Sequence, residues 1–151
     1  MKLAQALILR SDTQKRIEQL KVRLLSNAKT QENESPSEDP ELLLKELDKL
    51  TSELFTLICS INLTNSSAKF DSMSLTEMIA KKDALVLKAN VLREFATSAS
   101  QKVDLYSNSE IKILSTVDVS ALQKQVDAIS KEIRELEMKL QEANWSVDLV
   151  E

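Results

Sequence analysis

The side chains that could support catalysis in this sequence are its carboxylates and a single cysteine, Cys59. Paired carboxylates can hydrolyse a glycosidic bond when they face each other across the substrate. Glu135 and Glu137 lie too close along one predicted helix to do so, and no other pair stands out. A thiolate at Cys59 would need a neighbouring base or cation, and the chain has no His to act as that base. We therefore predict that the protein is not an enzyme, with a carboxylate-based enzyme kept as the third and least favoured hypothesis.

The composition argues against several further kinds of site. The 151 residues include no Gly and no His. The usual glycine-rich phosphate loops are therefore excluded, and the commonest metal ligand is missing. A single Cys excludes an internal disulfide and a cysteine-rich zinc site. We expect no cofactor and no metal. The absence of Gly also predicts that tight hairpins of the Asn-Gly or Gly-X kind are missing.

Basic residues occur on two predicted helices, where acidic residues are interleaved with them. This mixture, a net charge of −4 and few aromatic residues predict salt-bridged helix surfaces and no binding of nucleic acid. Some charged side chains lie next to apolar seams, where buried polar groups can fix register and oligomeric state. We predict interface or register roles for four of these, namely Arg10, Lys82, Arg93 and Arg134.

Four long amphipathic helices would position these side chains. Apolar residues spaced three and four apart indicate helices, and the second and fourth of them carry the strictest heptad seams. The seam of the first helix is loose, because Arg10, Gln14 and Lys21 share its apolar stripe. The predicted helices cover about residues 2–28, 40–62, 75–103 and 119–143.

Two connections between the helices have recognisable features. Residues 29–40 form an acidic linker with both prolines, and Asp39 is suited to be the N-cap of the second helix. Residues 110–114 alternate apolar and polar side chains, with Ile111 and Ile113 on one face, which indicates a short strand. We predict that this strand pairs with residues 68–71 as a two-stranded ribbon, within one chain or between chains.

Matched helix lengths and short polar connections predict an all-α fold, an antiparallel four-helix bundle with residues 1–151 as a single domain. The alternative is two long hairpins that complete their cores only in an oligomer. Trp145, the only Trp, follows the last heptad position and is expected to pack across the end of the bundle or onto a neighbouring subunit. No apolar run approaches the length of a membrane span, and we expect a cytoplasmic protein.

Several segments resemble a family of small, uncharacterised bacterial proteins, some of which carry the name septicolysin. They are the opening MKLAQALILRSDTQKRIEQLKVRLLSNAK, the linker ENESPSEDP, the TVDV before the fourth helix and the QEANW at 141–145. The resemblance covers essentially the whole chain, although the segment KFDSM stands where that family often has Gly. It implies an all-helical fold and, through the name alone, haemolysin-like activity. It implies no catalytic residue.

These observations predict a non-enzymatic helical bundle that self-associates into a homo-oligomer through its apolar stripes. The alternative is a membrane-active, haemolysin-like protein whose amphipathic helices rearrange on lipid. Regular apolar seams suit helical partners, and the short apolar N-terminal stretch reads as a helix start rather than an export signal. Self-association is therefore the favoured hypothesis, and contact with a membrane belongs only to the alternative.

Overall fold

The computed structural model describes residues 1–101 and 112–150. Within these ranges the chain forms four long helices and a two-stranded antiparallel ribbon, which confirms the all-α prediction. The strands are β1 (Lys69–Phe70) and β2 (Met73–Ser74). The helices are α1 (Leu3–Ser26), α2 (Pro40–Ser67), α3 (Leu75–Ser100) and α4 (Val119–Ser146).

The described residues divide into two compact units. The first unit contains Met1–Leu75 and the end of the chain from Glu142, so it holds α1, α2 and the ribbon. The second unit comprises the described residues from Thr76 to Gln141, and it holds most of α3 and α4. The single-domain organisation of residues 1–151 stays a prediction.

The core of the first unit lies between α1 and α2, which run antiparallel. Leu20 of α1 is buried with Leu43 and Leu50 of α2, while Ile17, Leu24 and Leu47 pack against this cluster. The α2 residues of this cluster are members of the predicted heptad seam, because residues spaced three and four apart lie on one face of a helix.

The ends of α2 have identifiable causes. The side chain of Asp39 accepts a hydrogen bond from the backbone N–H of Glu41 at 2.9 Å, and Pro40 occupies the first turn. The helix continues to Ser67, five residues past its predicted end at 62. Thr64 in this extra segment is fully buried, so tertiary packing holds a polar stretch in the helical conformation.

The ribbon differs from the predicted one in its second strand. Lys69 and Phe70 do form a strand, and their partners in the ribbon are Ser74 and Met73. Residues 112–114 lie outside every helix and strand, and 110–111 lie outside the described residues. A hairpin closes a far shorter loop than a pairing of residues about 40 positions apart, so it costs less chain entropy.

The turn of this hairpin is tight although the chain has no Gly. Asp71 and Ser72 have φ angles of 49° and 69°, so both central residues adopt the left-handed conformation of a type I′ turn. Asp tolerates this conformation through local hydrogen bonding, whereas Ser does so at some cost. A tight hairpin therefore forms here without the Asn-Gly or Gly-X turns that the composition excludes.

The last residues of the chain are fastened within the first unit. The Lys2 ammonium lies 2.9 Å from Asp148, and the N–H of Leu149 donates to the carbonyl oxygen of Met1 at 2.8 Å. The N–H of Val150 donates to the hydroxyl of the buried Thr64 at 2.9 Å. These contacts follow α4, which ends at Ser146, three residues beyond the predicted end at 143.

In the second unit α3 and α4 run antiparallel and are joined by polar bridges. Lys81 Nζ lies 2.7 Å from Glu132, and Arg93 Nη2 donates to the hydroxyl of Ser130 at 2.9 Å. Asp118 caps α4 by accepting a hydrogen bond from the N–H of Ala121 at 3.1 Å. The buried residues of α4 within this unit, all of them predicted seam positions, are Val126, Ile129, Leu136 and Leu140.

Candidate functional site

The second unit exposes an apolar stripe on α3, opposite the buried face of that helix. Leu87, Val91 and Phe95 recur every fourth residue and are 67%, 58% and 45% exposed. With the exposed Ala84 they form what we name the α3 stripe. Residues four apart lie above one another on a helix, so these side chains make one continuous surface. Such surfaces commonly mark sites of protein–protein contact.

The first unit carries an apolar groove between α1 and α2. The groove has a volume of about 310 Å³ and is lined by Ile17, Lys21, Leu24, Leu25 and Leu47, which we name the α1–α2 groove. Leu25 is 68% exposed. The groove is therefore an open, apolar binding surface with one cation, Lys21, in its lining.

Further apolar residues continue this surface along α2. Leu44, Phe55 and Ile58 are exposed, and each lies a few residues from the seam formed by Leu47 and Leu54. This second stripe matches the sequence, in which these three residues widen the heptad seam of α2. A helix with two apolar faces can contact two neighbours.

A second groove in the first unit has a mixed lining. It measures about 420 Å³, and Asp12 and Arg16 of α1 face Glu53 of α2 across it. Thr13, which is buried, contributes a hydroxyl-bearing side chain to the lining. The groove combines hydrogen-bonding groups with apolar side chains, which is the composition of a binding surface.

An ion-pair cluster fastens the acidic linker to α1. Arg23 Nε donates to Glu38 at 3.1 Å, Arg23 Nη2 donates to the same carboxylate, and Nη1 donates to Glu46 at 3.4 Å. The hydrogen bonds with Arg23 lower the pKa of Glu38, and those with Glu38 raise the pKa of Arg23. The backbone N–H of Glu38 also donates to the side-chain oxygen of Asn27 at 2.9 Å. The cluster holds the linker against α1 and α2.

The four charged residues predicted near the seams have different surroundings. Arg93 joins α3 to α4 through Ser130 and also donates to Asn90 at 3.1 Å. Lys82 is half-buried, with its ammonium 3.8 Å from Asp83. Arg10 is half-buried and Arg134 is exposed, and neither has a hydrogen bond or ion pair within the described ranges. Their interface or register roles stay predictions.

The remaining predicted site residues do not meet one another in the described ranges. Ile113 is 62% exposed and lies outside helices and strands, and Ile111 lies outside the described residues. Trp145 is exposed near the end of α4. Its exposure leaves a large apolar side chain free for a partner.

The α3 stripe and the α1–α2 groove are the surfaces that sequence reasoning missed as sites. A signal for the stripe was present, since Leu87, Val91 and Phe95 are spaced four apart. The same helix also carries the regular seam through Ala89 and Ala96, and that seam accounts for its helical period. The groove had no comparable signal, because it depends on how α1 and α2 sit side by side.

Two kinds of feature are absent from the described residues. No helix among them is both long and apolar enough to cross a membrane. No three His, Cys, Asp or Glu side chains among them are grouped closely enough to hold a metal ion.

The chain is similar to proteins whose function is also unknown. A family of unknown function, DUF6847, matches residues 10–149. The structure is similar to the crystal structure of a functionally unknown conserved protein from Corynebacterium diphtheriae, with 36% sequence identity, a TM-score of 0.85 and 99% of each chain covered. No curated protein matches. The resemblance to septicolysin-like proteins stays a prediction, since neither match carries that name.

Proposed function

This chain belongs to DUF6847, a family of unknown function, and we propose that it acts as a non-enzymatic interaction protein that associates with a second copy of itself. The observation that carries the proposal is the α3 stripe. Leu87, Val91 and Phe95 expose roughly half or more of their surface in the single chain. Fully burying an exposed side chain of this size contributes about 1.5–3 kcal/mol, so covering the exposed half of each one contributes about half as much.

Exposed apolar surface in both units supports the same proposal. The first unit exposes Leu25, Leu44 and Phe55, and the second exposes the α3 stripe. Single exposed apolar residues are ordinary, but rows of them at helical spacing suit a helical partner. A second copy carries exposed apolar residues in both of its units. A single kind of partner, the chain itself, can therefore bury the exposed apolar residues of both units.

The test is the mass of the protein in solution, measured by sedimentation equilibrium at micromolar protein. We expect at least twice the mass of one chain. Val91→Lys places a charge at the centre of the stripe and should weaken the association at least tenfold, since 1.4 kcal/mol corresponds to a factor of ten. Met138→Lys is the control, because Met138 is 72% exposed on α4 outside the stripe, and it should leave the mass unchanged.

A wild-type protein that stays monomeric at these concentrations would contradict the proposal. So would a membrane activity that uses the same surface. Release of a dye from anionic vesicles by the wild type, lost in Val91→Lys and kept in Met138→Lys, would favour the haemolysin-like alternative instead.

A further inference from the structure

We infer that the α3 stripe of one chain lies in the α1–α2 groove of a second copy, a mode of contact that rests on the self-association proposed above. Both surfaces are apolar and open in the structure of the single chain. Leu87 of the stripe and Leu25 of the groove are each about two-thirds exposed. Burial of either surface would be favourable. Because every copy of the chain carries both, the α3 stripe of one copy can cover the α1–α2 groove of another.

The shapes of the two surfaces are complementary. The groove lies between two antiparallel helices, and its lining comes from Ile17 to Leu25 of α1 and from Leu47 of α2. The stripe is a single ridge of side chains four residues apart on α3. Packing a ridge of side chains into a groove between helices is the ordinary way in which helices associate. The product would be a three-helix layer built from two chains.

The charges at the edges of the two surfaces are opposite in sign and equal in spacing. Arg10 and Lys21 are eleven residues apart on the groove side of α1, and Asp83 and Glu94 are eleven residues apart beside the stripe of α3. Eleven residues are three helical turns, or about 16 Å. Two cations and two carboxylates can therefore meet as two pairs along neighbouring helices.

These charges are available for a partner. Arg10 and Glu94 have no hydrogen bond or ion pair within the described ranges. Lys21 lies 3.8 Å from Glu18, and Asp83 lies 3.8 Å from Lys82. Long contacts of this kind at the surface contribute little, so exchanging them for a pair across an interface costs little.

The helical period also sets the direction of docking. At 100° per residue, Asp83 and Glu94 lie along one edge of the α3 stripe and Lys88 lies along the other. If α3 runs parallel to α1, the acidic edge faces α1, with Asp83 beside Arg10 and Glu94 beside Lys21. Lys88 then faces α2, whose groove edge carries Asp48. The reversed direction turns the acidic edge away from both cations.

A double-mutant cycle on one of these pairs tests the inference. In Lys21→Glu the groove of each chain faces Glu94 with a like charge, and in Glu94→Lys the stripe faces Lys21 with a like charge. Each single variant should raise the dissociation constant about fivefold at low salt, because like charges in contact disfavour the complex. The double variant Lys21→Glu with Glu94→Lys restores opposite charges and should return to within about twofold of the wild type.

Matched controls separate a contact from a general charge effect. Lys124→Glu and Glu137→Lys make the same charge changes at exposed positions of α4 and should leave the dissociation constant unchanged, singly and together. All six proteins carry surface substitutions, and their thermal unfolding at low concentration checks that each one folds.

The outcomes distinguish this inference from the function on which it rests. A wild type that does not associate overturns both. A wild type that associates, with effects of Lys21→Glu and Glu94→Lys that are absent or simply additive, overturns the docking of stripe in groove and leaves the self-association standing. Restoration in the double variant supports both.

Discussion

At the scale of single residues, the best-connected polar groups of the described structure are structural. Arg23 of α1 forms ion pairs with Glu38 of the linker and with Glu46 of α2. It therefore links both segments to α1. All three side chains are about two-fifths exposed, so water screens the pairs and each contributes modestly. Their role is to fix where the acidic linker lies beside the helices.

The lowered pKa of Glu38 predicts a pH dependence of stability. Because this pKa is lower in the folded state, the carboxylate stabilises the fold above its ordinary pKa of about 4.3, and the contribution is lost as the pH falls through the lowered value. Glu38→Gln should therefore lower the Tm by about 1–3 °C at pH 7. The difference from wild type should shrink steadily below about pH 4.

Thermal melts followed by circular dichroism across this pH range provide the measurement. Glu18→Gln serves as the control, because Glu18 makes only a 3.8 Å contact with Lys21 at an exposed position. A Tm difference for Glu38→Gln that stays constant down to pH 3 would rule out the pairing with Arg23 as its cause.

At the scale of the elements, the heptad seam of α2 separates residues that carry the fold from residues that are free for a partner. Leu43, Leu50 and Ile61 are almost fully buried, while Leu44 and Phe55, a few positions away, are exposed. One helix thus has an inner face that stabilises the first unit and an outer face that leaves apolar area in contact with water.

Truncation of a buried and of an exposed leucine of α2 should have very different effects on folding. Leu50→Ala creates a cavity in the α1–α2 core, where Leu50 is 1% exposed, and should lower the free energy of unfolding by about 2–4 kcal/mol. Leu42→Ala makes the same truncation at a 61% exposed position of α2 and should cost less than about 0.5 kcal/mol. Urea unfolding at fixed protein concentration measures both. Equal effects would contradict the placement of the core.

At the scale of the whole molecule, exposed apolar area is the feature that the two units share. The α3 stripe lies in one unit and the α1–α2 groove in the other. If copies of the chain bury these surfaces together, folding and association become linked, and stability depends on protein concentration.

This linkage predicts that the Tm rises with protein concentration. For a dimer, each tenfold increase adds about 1.4 kcal/mol of stability, which corresponds to a Tm higher by about 2–4 °C. Val91→Lys should shift this dependence to at least tenfold higher protein concentration while leaving the Tm at low concentration unchanged. Differential scanning calorimetry over two decades of concentration measures it, and a wild-type Tm independent of concentration would argue against association.

The helices and their seams were predictable from the sequence. Apolar residues spaced three and four apart lie on one face of a helix, and the chain gains stability by burying that face. The α4 seam follows this rule, and the Asp39 cap follows from the preference of Asp for the position before a helix. The sequence predicts a strand near residues 68–71 only as the partner that a strand at 110–114 would need, and residues 69–70 do form a strand.

Only the tertiary structure shows which strands pair and which apolar surfaces stay exposed. The partner of β1, the extension of α2 to Ser67 and the location of the α1–α2 groove depend on contacts between segments distant along the chain, where burial and chain entropy outweigh local preference. Periodicity shows that a residue such as Val91 lies on an apolar face. Only the packed structure shows that this face still meets water, since exposure depends on which neighbours are present.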